Sequence, residues 1–217
     1  MRIAVTGATG RTGVHVVRAL RGSDHEVVAV VRDEAKARDV LADAVAAGGV
    51  EVRTADVTDA ASLTRAVAGC DGVVSALGPV KGSPPDLMTR AASAALDAVR
   101  ALPRRRLVWL TGAGVRRPGD TPGVADRLIV TIMSVVASRT LQDSREAVTR
   151  VVAAGDVDWT VVRAPRLTDG PPAGRRRVAD RVGGGHGTTL PRADLGPYLA
   201  GLVVSDGQLR AAPVVSA

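Results

Sequence analysis

The stretch Arg2-Ile3-Ala4-Val5-Thr6-Gly7-Ala8-Thr9-Gly10-Arg11-Thr12-Gly13 constrains this chain more than any other part of it. Ile3 to Val5 is apolar, β-rich and stopped by a glycine, which reads as a short buried strand. From Val14 onward, apolar residues recur at Val17 and Leu20, the spacing of a helix face. Three glycines lie between the two, each three residues from the next. A strand that turns straight into a helix aims the helix's unpaired N–H groups at whatever lies above the turn, and an anion suits them best. Gly7 permits the tight turn, Gly10 lets a pyrophosphate approach the backbone, and Gly13 lets the helix sit close on the strand. Thr9 and Thr12 offer hydroxyl donors to the same phosphates. A glycine triplet alone also fits an ordinary strand-to-helix turn. Its place between a strand and a helix is the context that dinucleotide binding requires.

The same alternation continues. Glu26 to Val31, Val50 to Ala55, Asp71 to Ala76 and Arg106 to Leu110 read as further buried strands. Helices are predicted over Glu34–Ala47, from a cap at Thr58 or Asp59 through Val67, and over Pro85–Leu102. A Pro/Gly/Arg-rich loop from Val115 to Gly123 leads to a helix predicted over Val124–Ala154. Asp158 to Pro165 is the sixth strand, Arg166 to Thr189 a mobile substrate-side segment, and Leu190 to Leu195 opens the last helix. This is an α/β pattern: a Rossmann-like, doubly wound parallel sheet with helices on both faces, ligand at the carboxyl ends of the strands, and a small C-terminal substrate-side segment. One domain is expected over residues 1–217, with 1–155 as cofactor-binding core and 156–217 as sixth strand, substrate-side loop and last helix.

Composition narrows the partners. Trp109, Trp159 and Tyr198 are the only aromatics, so the core must come from Val, Leu, Ala and Ile, as in a covered parallel sheet. The net charge is +7, carried by two lysines, Lys36 and Lys81, against 27 arginines. The arginines are scattered apart from Arg104–Arg106 and Arg175–Arg177, and no aromatics are interleaved to stack nucleic-acid bases. A phosphate-rich cofactor plus solvated surface charge accounts for the balance, and no nucleic-acid or membrane partner is expected. Cys70 is alone, which leaves no disulfide framework and no metal-ligand spacing; a small buried residue is the simplest role for it. The longest apolar run, Leu128 to Ala137, is too short to span a bilayer, and no secretory segment precedes the first strand. A cytoplasmic monomer or homodimer acting on a small molecule is the expectation.

The spacing Thr-Gly-x-x-Gly-x-x-Gly resembles the extended and atypical short-chain dehydrogenases/reductases. Taken with the rest, the chain is similar to their NmrA-like, NAD(P)H-binding branch, and within it to biliverdin-IXβ/flavin reductases and small quinone-reductase-like proteins. The resemblance also covers the run Asp158-Trp159-Thr160-Val161-Val162-Arg163-Ala164-Pro165, with Ala164 where the family usually has proline, and Leu190-Pro191-Arg192-Ala193-Asp194-Leu195. It implies roles for particular residues. Val31-Arg32-Asp33 resembles the NADP-binding members, where the arginine faces the 2′-phosphate and the aspartate caps the next helix. Arg11, Lys36 and Arg38 add positive charge to that corner, so NADP(H) is favoured over NAD(H). Asp56 and Val57 match the position at the adenine edge. Ala76, Leu77 and Gly78 pass under the ribose and nicotinamide side, and Arg163 and Pro165 end the strand whose backbone meets the carboxamide.

Classical members use a Tyr-x-x-x-Lys pair as proton relay. This sequence cannot supply one: Tyr198 has Leu202 four residues later, and both lysines lie in the first half. After the fifth strand, Thr111 is followed by Gly112 where a serine is common. The expected chemistry is therefore hydride transfer from NADPH to a planar conjugated acceptor such as a quinone, a flavin or an aromatic polyketide-like carbonyl. Thr111 and His186 are the candidate catalytic side chains, and Asp143 with Arg145 reads as a structural or solvated pair. The alternative is a redox-silent, NmrA-like NADP(H) sensor that regulates a partner.

Overall fold

The structure is a computed structural model that describes residues 1–121, 138–183 and 187–217. The chain opens with β1 (Arg2–Thr6), the glycine loop and α1 (Gly13–Arg21). It continues with β2 (Glu26–Val31), α2 (Glu34–Val40), α3 (Ala42–Ala46), β3 (Val50–Thr54), α4 (Ala60–Val67), β4 (Gly72–Ser75), α5 (Leu87–Arg100) and β5 (Arg106–Gly112). After the first undescribed segment come α6 (Ser138–Ala153), β6 (Asp158–Ala164), β7 (Arg166–Thr168) and β8 (Arg177–Ala179). The chain finishes with β9 (Thr189–Pro191), α7 (Arg192–Val204) and β10 (Val214–Ser216).

The main sheet runs in the order β3-β2-β1-β4-β5-β6-β10-β8. Every pairing from β3 to β10 is parallel, and only β8 is antiparallel, lying on the edge against β10. The order reverses between β1 and β4. That reversal opens a crevice at the carboxyl ends of those two strands, directly above the glycine loop.

Alternate side chains of each strand go to opposite faces, which is why the strands read as continuous apolar runs. Val73, Leu107, Trp109, Trp159 and Val161 join α4, α5 and α6 in one core. Ile3, Val5, Val27, Ala29, Val108 and Val162 join α1, α2 and α7 in the other. Cys70 is buried in the first core, and burial pushes its thiol up to about 11, so it is a packing residue with no thiolate at neutral pH.

Several local expectations resolve in detail. Asp33 caps α2 by accepting from the Lys36 amide at 3.0 Å, and Asp59, not Thr58, caps α4 by accepting from the Ser62 amide at 2.6 Å. The single helix expected over Glu34–Ala47 is divided at Leu41, which leaves the helical region to bury its side chain against the second core. Of the helix expected over Val124–Ala154, the described part is α6; residues 122–137, with the apolar run at Leu128, lie outside the described residues. Arg106 is no solvated charge. It is 1% exposed, and its guanidinium donates to the carbonyls of Leu202 at 2.7 Å and Asp158 at 2.9 Å, closing the last turn of α7. Burial lowers its pKa to about 10, so it stays charged at neutral pH. No helix among the described residues is long and apolar enough to cross a membrane.

Candidate functional site

The glycine loop has the form its spacing predicts. Gly7 sits at φ +71°, and a side chain there would press on the backbone of Ala76 and Leu77 at 3.0–3.1 Å. Gly13 is tighter still: a Cβ would lie 2.1 Å from the Gly7 carbonyl oxygen, so α1 can approach β1 only without one. Gly10 differs from both. It is exposed, and a Cβ there would meet only the Gly7 oxygen at 3.0 Å, leaving the space above the loop open. The amides of Arg11, Thr12 and Gly13 donate to no acceptor among the described residues, because the ladder of α1 begins with Val14 N–H to Gly10 O. Thr12 precedes the helix and makes no side-chain cap, and no acidic side chain stands in the first turn. Three unpaired N–H groups at a helix start, without a competing carboxylate in that turn, are what an anionic diphosphate needs. The loop fits the pyrophosphate of a dinucleotide.

At the end of β2, Arg32 is exposed and has no hydrogen-bond or ion-pair partner among the described residues. Asp56 lies in the same corner. Its carboxyl is held below the usual range by hydrogen bonds from the Thr58 amide and hydroxyl, both 2.8 Å, with the charges of Arg90 and Arg32 adding to them. Val57 beside it is buried. Of the other cations expected at this corner, Lys36 is bonded through its backbone amide alone among the described residues, while Arg38 and Arg11 have side-chain partners. Arg38 pairs with Glu34 at 2.6 Å across one helical turn, and the guanidinium of Arg11 is joined to Asp169, which Arg192 also holds at 2.7 Å. The side chain of Arg11 therefore ties the glycine loop to the segment after β7, while its backbone stays with the loop.

From Gly7 the wall passes to the loop after β4. Leu77, Gly78 and Pro79 line one side of a cleft of about 190 Å³, and Ala76 precedes them, its amide bound to the Thr6 carbonyl at 3.0 Å. Met88 of α5, Leu110, Thr111 and Gly112 of β5, Ser144 of α6, Ala164 at the end of β6 with Pro165 after it, and Leu167 of β7 complete the lining. Among the described residues the lining side chains are apolar apart from two hydroxyls, Thr111 and Ser144, and none is ionisable. Neither hydroxyl has a partner among the described residues. Thr111 was legible as the polar residue ending β5. Ser144 was not: it sits inside a helix, and nothing in the sequence aims it at the strand ends.

Three residues singled out by sequence have other work. Arg163 is 1% exposed, donates to Asp120 at 2.6 Å, and also donates to the carbonyls of Ala212 at 2.9 Å and Asp180 at 3.1 Å. Its side chain is fully engaged and does not line the cleft, which is reached instead by its neighbours Ala164 and Pro165. Asp143 is buried, but its partner is not Arg145: its two carboxylate oxygens accept from the amides of Met88 at 2.8 Å and Thr89 at 2.9 Å, capping α5 from α6. Tyr198 is buried with its hydroxyl donating to Gln208 at 2.7 Å and the Arg176 guanidinium 4.5 Å from its ring. It is not among the residues that line the cleft, and burial raises its pKa. His186 lies outside the described residues. Among the described residues no group of His, Cys, Asp or Glu could hold a metal.

Comparison with known proteins agrees with the fold. Escherichia coli ChuY, an anaerobilin reductase, superposes with a TM-score of 0.78 at 18% identity, covering 100% of this chain and 97% of that one. A short-chain dehydrogenase/reductase from Veillonella parvula, solved with NADP, has a TM-score of 0.78 at 15% identity over 100% of this chain and 94% of that one. In sequence, 71 residues are 44% identical to quinone oxidoreductase 2 of Escherichia coli, covering 32% of this chain and 23% of that protein. A further 83-residue match, 40% identical, is to the isoflavone reductase homolog IRL of Zea mays, covering 37% of this chain and 27% of that protein. The aligned parts thus span about a quarter of those relatives' lengths. The NAD(P)H-binding family matches residues 7–206, from the first loop glycine to beyond the last helix. The chain belongs to the NAD(P)H-binding family.

Proposed function

We propose that this protein is an NADPH-dependent reductase that delivers hydride to a planar, conjugated small molecule without a tyrosine acid. The observation that carries this reading is the cleft itself. It adjoins the glycine loop through Leu77, stands at the carboxyl ends of β4, β5 and β6, and is lined by apolar groups and two hydroxyls with no ionisable side chain among the described residues. Gly7, Thr9, Gly10, Arg11, Thr12 and Gly13 would hold the diphosphate, chiefly through backbone amides. Arg32 would face the 2′-phosphate, Asp56 and Val57 the adenine edge, and Ala76–Gly78 with Thr111 and Pro165 the nicotinamide side. NADPH supplies the hydride when bound.

The chain's own residues then position the acceptor and shed water from it, with Thr111 donating to the acceptor's oxygen. Quinones and flavins form reduced anions stable enough to take a proton from solvent, so no dedicated acid is needed. The quinone oxidoreductase and isoflavone reductase relatives and the anaerobilin reductase neighbour support a conjugated acceptor. A cleft with no ionisable residue among its described lining also suits a redox-silent NADP(H) sensor. Loss of the reduced-nicotinamide absorbance with a panel of quinones and flavins decides between them. Steady oxidation dependent on one acceptor is expected, and tight NADPH binding without turnover of any would contradict a reductase.

A further inference from the structure

We infer that Ser144 is the second hydroxyl of a two-donor clamp, with Thr111, on the carbonyl oxygen of a neutral conjugated acceptor; this rests on the reductase reading above. Thr111 reaches the cleft from the end of β5 and Ser144 from α6, and both hydroxyls are without partners among the described residues. A carbonyl oxygen has two lone pairs and can accept from both at once. By strand alternation Thr111 shares its face with Leu107 and Trp109, which pack in the core that α5 and α6 cover, so the Thr111 side chain and α6 lie on the same side of the sheet.

The placement of Ser144 is fixed, not incidental. Its neighbour Asp143 is 8% exposed and grips the amides of Met88 and Thr89, so α6 is locked to the first turn of α5. That grip holds two cleft walls, Met88 and Ser144, in one register. The described lining carries no cation to receive a carboxylate or phosphate, so the part of the substrate it takes is uncharged: a quinone or an enone. As hydride moves from NADPH to the acceptor's conjugated carbon, the π pair shifts onto the carbonyl oxygen, and both hydroxyls strengthen their hydrogen bonds to it. Solvent then supplies one proton to that oxygen, giving the reduced acceptor and NADP⁺.

The test uses menadione as acceptor with the full-length protein. Ser144→Ala is expected to lower kcat by about 10²-fold while leaving NADPH affinity by calorimetry unchanged, because Ser144 touches only the acceptor. Combined with Thr111→Val, the loss should be smaller than the product of the single losses, since both donors serve one oxygen. If wild type turns over menadione and Ser144→Ala does so equally well, the clamp is wrong and the reductase reading stands. If wild type binds NADPH but reduces no quinone, the reductase reading fails. The clamp is then judged by menadione binding to the NADP⁺ complex: weakening by Ser144→Ala keeps it, and equal binding overturns it.

Discussion

Arg163 and Asp120 form an ion pair of 2.6 Å whose side chains are only 1% and 3% exposed. The pair joins β6 to the loop that leaves β5, and Asp120 also accepts from the amides of Arg117 at 2.7 Å and Val182 at 2.9 Å. It thereby pins both the β5 exit and the segment after β8 beside the strand that ends at the cleft. Removing the carboxylate would strand a buried guanidinium. Asp120→Ala should therefore destabilise the protein by about 3–5 kcal/mol, read as a lowered urea midpoint. A loss under about 1 kcal/mol would mean the pair is solvated in practice.

The same pair gives a pH dependence. Burial alone would raise the pKa of Asp120, but hydrogen bonds from Arg117, Arg163 and Val182 overcome it and the net shift is downward. A carboxyl depressed in the folded state adds stability above its unfolded value, near pH 4, and loses it as pH falls through the lower folded value. Acid titration of wild type should show this contribution disappearing below about pH 4. Asp120→Asn should flatten that limb. An unchanged acid limb in the variant would contradict the assignment.

The glycines of the first loop separate by role. Gly10→Val should abolish dinucleotide binding at a smaller cost in melting than a Cβ at Gly13, because the added atoms press only on the Gly7 oxygen at 3.0 Å and otherwise fill the open space above the loop. Gly13→Ala should instead lower the melting temperature, since its Cβ would overlap the Gly7 oxygen. Tight NADPH binding by Gly10→Val would show that the loop is only a turn.

Tyr198→Phe should leave turnover nearly unchanged. It removes the hydrogen bond to Gln208, at a stability cost of about 1 kcal/mol, and the lost hydroxyl belongs to no residue of the cleft lining. A correctly folded but inactive variant would reveal a proton relay through Tyr198.

Much of this was legible because it is local. The turn geometry of Gly7 and Gly13, the caps at Asp33 and Asp59, and the apolar strands are each written in a few consecutive residues. The rest depends on partners far apart in sequence. β10 is three residues long and has no periodicity of its own; its place is set by pairing with β6 and β8. Arg163 is expected at the cofactor through the family resemblance of its strand, yet its side-chain partner is 43 positions away in a loop that reads only as Pro/Gly/Arg-rich. Asp143 caps a helix from another helix across 55 positions, so its role, and with it the placing of Ser144, has no local signature.

Parallel calorimetric titrations of NADPH and NADH into wild type and Arg32→Ala measure whether Arg32 reads the 2′-phosphate. Arg32 is exposed at the end of β2 with no partner among the described residues, and a charge-assisted contact to the 2′-phosphate is worth about 1.5–3 kcal/mol. Wild type should bind NADPH about ten- to a hundredfold tighter than NADH, and Arg32→Ala should erase that gap while leaving NADH affinity unchanged. Equal affinities in wild type, or equal losses for both cofactors in the variant, would contradict it.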